Sequence, residues 1–483
     1  MFLKDDLSLF NELKEYCTAN FNNDIAFNLD ILYKWVWNFG FYETAEVSHL
    51  SKIKSLVKFF ISSEIYMYKN YNLNTVENIE TDVLIPYLFP RLDYLDLILP
   101  SINILISKGY KITFLSTKMI YSNYLKSNVS KNIKIIYWED YVKFSDYLKV
   151  TISVFNIYSD FLKMKKVLNL NLYELIKLKE YFIKFYFEKY IFDEVLNSTK
   201  PKLMFGIHYE LNRGILKSFL QYKKENKLEN ILIQHGIFDT DYGFSEGFGS
   251  DLYILWGKYS EEVKKRADTY NIIKSPPLIV LGNPKIEQLL KDYKMSRSNK
   301  KCKIIFVSTP KLPHNLNHRS IELFAKMVTK YNMEHDYEII YKLHPAEDLE
   351  DYRVLIEKNL IKNNQLIRNI NIFDLIEDNS VVLGTVSTVL IEVVALGIPV
   401  IQLFSQECET LNFDLEKGGI KSPSNIKELY TMVNKIVTDY NYRNLILENE
   451  SELIKYIFGN TVDVSEKIAE LLMKKMENTI VDK

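Results

Sequence analysis

From residue 81 onward, short apolar runs alternate with longer stretches in which apolar positions recur three and four apart. The runs DVLIPYL (82–88), YKITFLS (110–116), IKIIY (133–137), KLMFGIH (202–208), NILIQ (230–234), DLYIL (251–255) and LIVL (278–281) read as buried strands. Helical periodicity fills 93–107, where Gly109 follows, and 141–196, which Pro201 closes. The polar stretch LLKDYKMSRSNKK (289–301) predicts a linker, after which the rhythm restarts. CKIIFVS (302–308), YEIIYKL (337–343), VVL (381–383) and PVIQL (399–403) are strands, with helices over 317–331, 350–359 and 388–396 and a helical region over 423–478. Alternating β and α elements imply parallel sheets. The expected architecture is α/β, with two doubly wound Rossmann-type halves facing a central cleft. Residues 1–80 repeat apolar positions at helical spacing without strand alternation, so the expected organisation is a helical N-terminal region over 1–80, a first half over 81–290 and a second half, with C-terminal helices, over 301–483.

One stretch tests this reading. Residues 381–404, VVLGTVSTVLIEVVALGIPVIQLF, are long and apolar enough for a membrane span, and Glu392 is their single formal charge. An acid at mid-span costs several kcal/mol, on the order of 3 or more, and Gly384, Gly397 and Pro399 interrupt the run. Strand, turn, helix capped by Ser387, Gly397 turn and strand fit the same residues as a βαβ unit buried on both faces.

Composition narrows the class. The chain is 47% hydrophobic and 25% charged with net charge −1, values of a folded globular protein without the basic field that nucleic acid requires. Cys17, Cys302 and Cys408 are odd in number and far apart, which suggests no disulfide framework or metal knuckle and fits a reducing cytoplasm. The start, MFLKDDLSLF, carries acids early and does not resemble a signal peptide. GxGxxG and P-loop signatures are absent, which disfavours nicotinamide-dependent enzymes and nucleotide hydrolases.

Candidate chemistry sits just past the strands, where open α/β sheets bind ligands. ILIQHGIFD places Gln234, His235 and Gly236 at one strand end, and VLGNPK places Asn283 and Lys285 at another. FVSTPK places Ser308, Thr309 and Lys311, YKLHP places Lys342, His344 and Pro345, and VLGTVST places Thr385, Ser387 and Thr388. Taken singly, each has an ordinary explanation, such as a packed histidine or a plain helix cap. Together, a hydroxyl pair at a helix N-terminus and an imidazole from a neighbouring strand suit a phosphate. Glu392, one turn into that helix, is an acceptor for a ribose hydroxyl or a helix-face acid with a basic neighbour. Asp239 and Asp241 form a D-T-D after a glycine turn, read as loop acids rather than metal ligands, so no metal or other cofactor is expected.

The motif LHP, followed some forty residues later by a strand, Gly/Thr/Ser and STVLIEVVALGIPVI, resembles the GT-B glycosyltransferases of bacterial surface polysaccharides, sialyltransferases and polysialyltransferases among them. QHGIFD…LYILWGKY…VLGNPK is similar to capsule-assembly transferases, including CDP-glycerol glycerophosphotransferases. The resemblance covers about residues 200–404. It implies a GT-B-like fold, with His344 and Ser387/Thr388 holding the phosphate of a cytidine-activated donor and His235 paired with His344. The acidic D/E-D/E-G motif of the sialyltransferases is missing; HYELNRG (208–214) has Glu210 and Gly214 at the wrong spacing. His235, Glu210 and Asp239 therefore stand as candidates for the general base, in that order.

These readings predict a metal-independent glycosyltransferase using a nucleotide sugar, foremost a CMP-linked nonulosonic acid of the sialic acid or Kdo type, for capsule, lipopolysaccharide or other glycoconjugates. The alternatives are a CDP-polyol phosphotransferase, a UDP-N-acetylglucosamine-type epimerase and a non-catalytic assembly factor. The expected partners are the donor and a glycan or lipid-linked acceptor, not nucleic acid. The expected location is the cytoplasm, with peripheral contact to the inner membrane through the Lys-, Phe- and Tyr-rich stretch 141–196; the same stretch also reads as an interior helical pair.

Overall fold

The computed structural model describes residues 78–88, 94–157, 160, 162–163, 172–207, 213–237, 247, 249–268, 275–293, 301–308, 316–344, 347–385, 387–403, 423 and 425–481. The helical reading of 1–80 lies outside these residues except at 78–80.

The first half runs β1 (Val83–Pro86), α1 (Leu95–Ser107), β2 (Ile112–Ser116), β3 (Lys134–Tyr137), α2 (Phe144–Asn156), α3 (Leu172–Thr199), β4 (Leu203–Ile207), α4 (Arg213–Glu225), β5 (Glu229–Ile233), β6 (Leu252–Leu255), α5 (Lys258–Asp268), β7 (Leu278–Val280) and α6 (Pro284–Asp292). The second runs β8 (Lys303–Val307), α7 (Leu316–Lys330), β9 (Glu338–Lys342), α8 (Arg353–Glu357), β10 (Leu366–Ile367), β11 (Val381–Gly384), α9 (Thr388–Ala395), β12 (Val400–Gln402), α10 (Ile426–Thr438), α11 (Tyr440–Phe458) and α12 (Val464–Val481). Each apolar run quoted above becomes a strand; those inside the sheets are rich in β-branched and aromatic residues buried on both faces, whereas the edge strands β3 and β7 are partly exposed. Val83, Leu84 and Ile85 of β1 and Ile304, Ile305 and Phe306 of β8 have no exposed surface.

The first sheet has the order β3-β2-β1-β4-β5-β6-β7 and the second β10-β9-β8-β11-β12, every pair parallel. In each sheet the chain winds outward to one side and then returns to the other. The reversal falls between β1 and β4 in the first sheet and between β8 and β11 in the second. A crevice opens above the carboxyl ends of strands at such a reversal. Residues 381–403 form β11, α9 and β12 in the middle and at the edge of the second sheet, so their hydrophobicity is that of an interior. Among the described residues no helix is long and apolar enough to cross a membrane.

The C-terminal helices depart from the expected division at 301–483. α10 and α11 begin on the second half, but α11 ends on the first: the Phe458 ring lies 5.6 Å from that of Trp256, and Tyr456 donates to Glu262 Oε2 at 2.5 Å. Close approach is built in, since a Cβ on Gly257 would sit 2.3 Å from the Ile457 carbonyl oxygen. α12 then packs on α1 and α6, where buried Glu287 accepts from Val464 N at 3.2 Å and Ser465 N at 2.9 Å. Helical periodicity marks an apolar face without naming its partner, which is why sequence placed α12 with its neighbours in the chain.

Glu450, on α11, closes the edge of the second sheet by accepting from Val400 N at 2.8 Å, while its Oε2 is buried without a partner. Burial pushes its carboxyl well above the ordinary range, against the pull of the Val400 N–H and Arg443. A carboxyl whose folded pKa is raised contributes stability below its unfolded pKa and loses it as pH rises toward the folded value. Glu450→Gln keeps the acceptor and removes the ionisation. Its Tm relative to the parent should therefore be near zero at pH 5 and increasingly positive toward pH 8, measured by thermal unfolding across that range.

Candidate active site at the carboxyl edges of the two sheets

Ser308, His344, Thr385 and Ser387 follow β8, β9 and β11, three adjacent strands, and so gather at the reversal point of the second sheet. A buried carboxylate fixes the turn that carries His344. Glu347, 4% exposed, accepts from the Ser308 hydroxyl and from His344 N at 2.8 Å through Oε2, and from the Tyr352 hydroxyl at 2.6 Å through Oε1. Ser308 Oγ also accepts from His344 N at 2.9 Å, and Glu347 N returns a bond to the His344 carbonyl at 3.0 Å. The turn carrying half-buried His344 is thereby tied to the end of β8.

Lys342 has a different task. Its ammonium donates to the carbonyls of Leu343 at 2.7 Å and Arg368 at 3.0 Å, binding β9 to the end of β10. Burial lowers its pKa, opposed by Glu347. Ser387 is extended, at φ −159° and ψ 138°, and accepts from Val389 N at 3.3 Å as the cap of α9. The Thr385 carbonyl receives Gln402 Nε2 at 2.8 Å, holding the β11 turn against β12. Gly384 permits this packing, since a Cβ there would lie 3.0 Å from the Val307 carbonyl and 3.1 Å from Leu390.

In the first half Gln234 is fully buried and braces the histidine turn. Its Oε1 accepts from Trp256 N at 2.9 Å and its Nε2 donates to the Gly236 carbonyl at 2.6 Å. His235 stands between these anchors, edge-on to Tyr94 with centroids 5.5 Å apart. Asn283 caps α6 by accepting from Lys285 N at 2.9 Å and Ile286 N at 3.3 Å. The Lys285 ammonium meets Glu392 Oε1 at 2.5 Å, with the carboxylate side chain 4% exposed. Lys285 is thus the basic neighbour of Glu392. Because both lie in the opening turns of helices that follow strand ends, this pair brings the carboxyl edges of the two sheets together. Thr309, Lys311, Pro345, Glu210, Asp239 and Asp241 lie outside the described residues.

Sequence reasoning missed two acids. Glu347 follows His344 by three residues, but its partner Ser308 is 39 positions upstream, beyond any local pattern. Glu188, on α3, sits at the N-terminus of α4 just beyond β4. Burial pushes its carboxyl up to about 7, against Lys184 and the Gly214 N–H, which pull it down. Gly214 allows that approach, since a Cβ there would lie 2.6 Å from Glu188 Cβ.

No family model matches this sequence, and no curated protein does. Among solved structures, a UDP-N-acetylglucosamine 2-epimerase aligns over 83% of this chain and 97% of its own at 14% identity and TM-score 0.52. A Listeria monocytogenes protein assigned to the same activity gives the same coverage, identity and TM-score. The wall teichoic acid polymerase TagF aligns over 89% of this chain and 99% of its own at 13% identity, with a TM-score of 0.47. At such identities the likeness to the epimerases is one of fold: two doubly wound halves of GT-B-like type.

Two tests follow from the geometry. Glu347→Ala takes the acceptor from the buried Tyr352 hydroxyl, while His344 N keeps Ser308 Oγ and Ser308 keeps the Lys342 carbonyl, and should cost about 2 kcal/mol in urea unfolding. His344→Ala, which leaves the backbone bonds in place, should cost less than about 1 kcal/mol. Glu188 has its folded pKa raised to about 7 from an ordinary value of 4.5, so its contribution falls as pH rises between those values, by at most about 3 kcal/mol. Glu188→Gln should flatten the decline in Tm between pH 5 and pH 8.

Proposed function

We propose that this chain is a glycosyltransferase that takes a sugar from a nucleotide-activated donor, with a cytidine nucleotide as leaving group. The observation that supports the reading most is the gathering of Ser308, His344, Thr385 and capped Ser387 on adjacent strand ends at the reversal point of the second sheet. The first turn of α9 supplies backbone N–H groups for a phosphate, and Thr388 opens that turn. In this reading His344 bonds a phosphate oxygen and gives it a proton as the sugar–oxygen bond breaks. On the facing edge His235, set by Gln234, takes the proton of the acceptor hydroxyl as that oxygen bonds the anomeric carbon. The finer donor reading is a CMP-linked nonulosonic acid, with a glycan or lipid-linked acceptor of surface polysaccharide.

A CDP-polyol phosphotransferase is the second reading. It is favoured by one histidine on each carboxyl edge, since attack at phosphorus uses the same acid and base. The fold shared with UDP-N-acetylglucosamine 2-epimerases keeps a sugar-nucleotide epimerase as the comparison case.

Thermal unfolding with CMP, CDP, UDP and GDP separates these readings. At 100 times Kd a ligand adds about 2.7 kcal/mol to the folded state, a rise of several degrees. CMP or CDP should raise Tm in the parent, with the gain reduced by at least half in His344→Ala. No shift with any nucleotide overturns the transferase reading, and a shift with UDP alone turns it toward the epimerase. With a bound cytidine nucleotide established, product analysis decides between the first two, because only the phosphotransferase leaves a phosphodiester.

A further inference from the structure

Lys285 stands where a cation is ordinarily disfavoured. It is the second residue of α6, and its N–H and that of Ile286 donate to the Asn283 cap, so its side chain leaves from the positive end of that helix. Its ammonium crosses from the first half to Glu392 Oε1 at 2.5 Å, on α9 of the second. Glu392 follows Thr388, the first residue of α9, by four positions, and residues so spaced are neighbours on one helix face. Helical side chains also lean toward the N-terminus of their own helix. The ammonium therefore lies beside the first turn of α9, at the positive end of a second helix.

Two helix starts and one ammonium are set against one carboxylate. With roughly half an elementary charge at each helix start, the junction keeps an excess of about one positive charge. Cohesion between the halves does not call for these charges. Ile286, beside Lys285, and Leu390 and Ile391, beside Glu392, are buried in one apolar core. Apolar residues in place of a buried ion pair commonly hold such a contact as well. The two side chains also differ in access: the Glu392 carboxylate is 4% exposed and Lys285 is 22% exposed, so the cation is the member of the pair that a ligand can reach.

We infer that Lys285 is a phosphate-binding residue of the donor site. It reaches from the first half to the phosphate that Ser387, Thr388 and the first turn of α9 hold on the second, and Glu392 keeps its ammonium in place. This rests on the proposed transferase reading and adds to it a contact from the facing sheet. One phosphate is then gripped from both halves.

The test is binding of CMP, and of cytidine, which lacks the phosphate, to the full chain, followed by calorimetry and thermal shift. In Lys285→Met the ratio of the cytidine Kd to the CMP Kd should fall about tenfold, the loss of one charge-assisted contact. That variant leaves the Glu392 carboxylate buried without the Lys285 ammonium, which works against folding. The double variant Lys285→Met with Glu392→Gln removes both charges and should show the same fall. Lys291→Met, near the other end of α6 and 59% exposed, should leave the ratio unchanged. CMP binding by the parent with an unchanged ratio in the double variant overturns the assignment and leaves the transferase reading standing. An equal fall in Lys291→Met does the same, since the effect is then one of overall charge. No nucleotide binding by the parent overturns both. A parent that takes uridine rather than cytidine nucleotides is tested in the same way with UMP and uridine, so the role of Lys285 is read apart from the base.

Discussion

A parallel sheet sends the carboxyl end of every strand to the same edge, and the candidate chemistry of this protein depends on that constraint. The loops after β5, β8, β9 and β11 have nowhere else to go. Because the central strands are buried on both faces, the residues just past the last ladder bond are the first able to meet a ligand. The reversal of winding between β8 and β11 then separates the neighbouring loops, one leading to each side of the sheet.

An edge of loops is not yet a site. Backbone groups that leave a ladder need new partners, and here buried side chains supply them. Glu347 answers Ser308, His344 N and Tyr352, and Gln234 answers Trp256 N and the Gly236 carbonyl. Each brace fixes the main chain on both sides of a histidine. A buried carboxylate in contact with three donors holds its turn by satisfying groups that are away from water.

The two halves are joined in three ways that differ in kind. α11 and α12 carry the chain from the second half back onto the first, burying aromatic and aliphatic surface. Asn283 and the α6 cap aim Lys285 at Glu392 across the strand edges. The apolar core itself runs on from the first sheet through Val382 and Leu390 of the second half. Burial gives the largest share of the cohesion, being proportional to area. The ion pair contributes orientation more than energy, because removing Glu392 from water offsets much of its attraction to Lys285.

The sequence by itself determined the strands and their parallel character, because period and β-branched composition are local and a strand buried on both faces writes itself as a continuous apolar run. It also determined that residues 381–403 are interior and that Ser308, His344 and Ser387 stand at strand ends. The two-residue β10 was too short to register, and α12 was given to the wrong half because periodicity is silent about partners. Glu347 as a brace, Lys342 as a tie between β9 and β10, Lys285 as the neighbour of Glu392, and Glu188 with its carboxyl raised to about 7 all appeared only in the tertiary structure. Each depends on contacts between positions distant in the chain, and packing alone decides those.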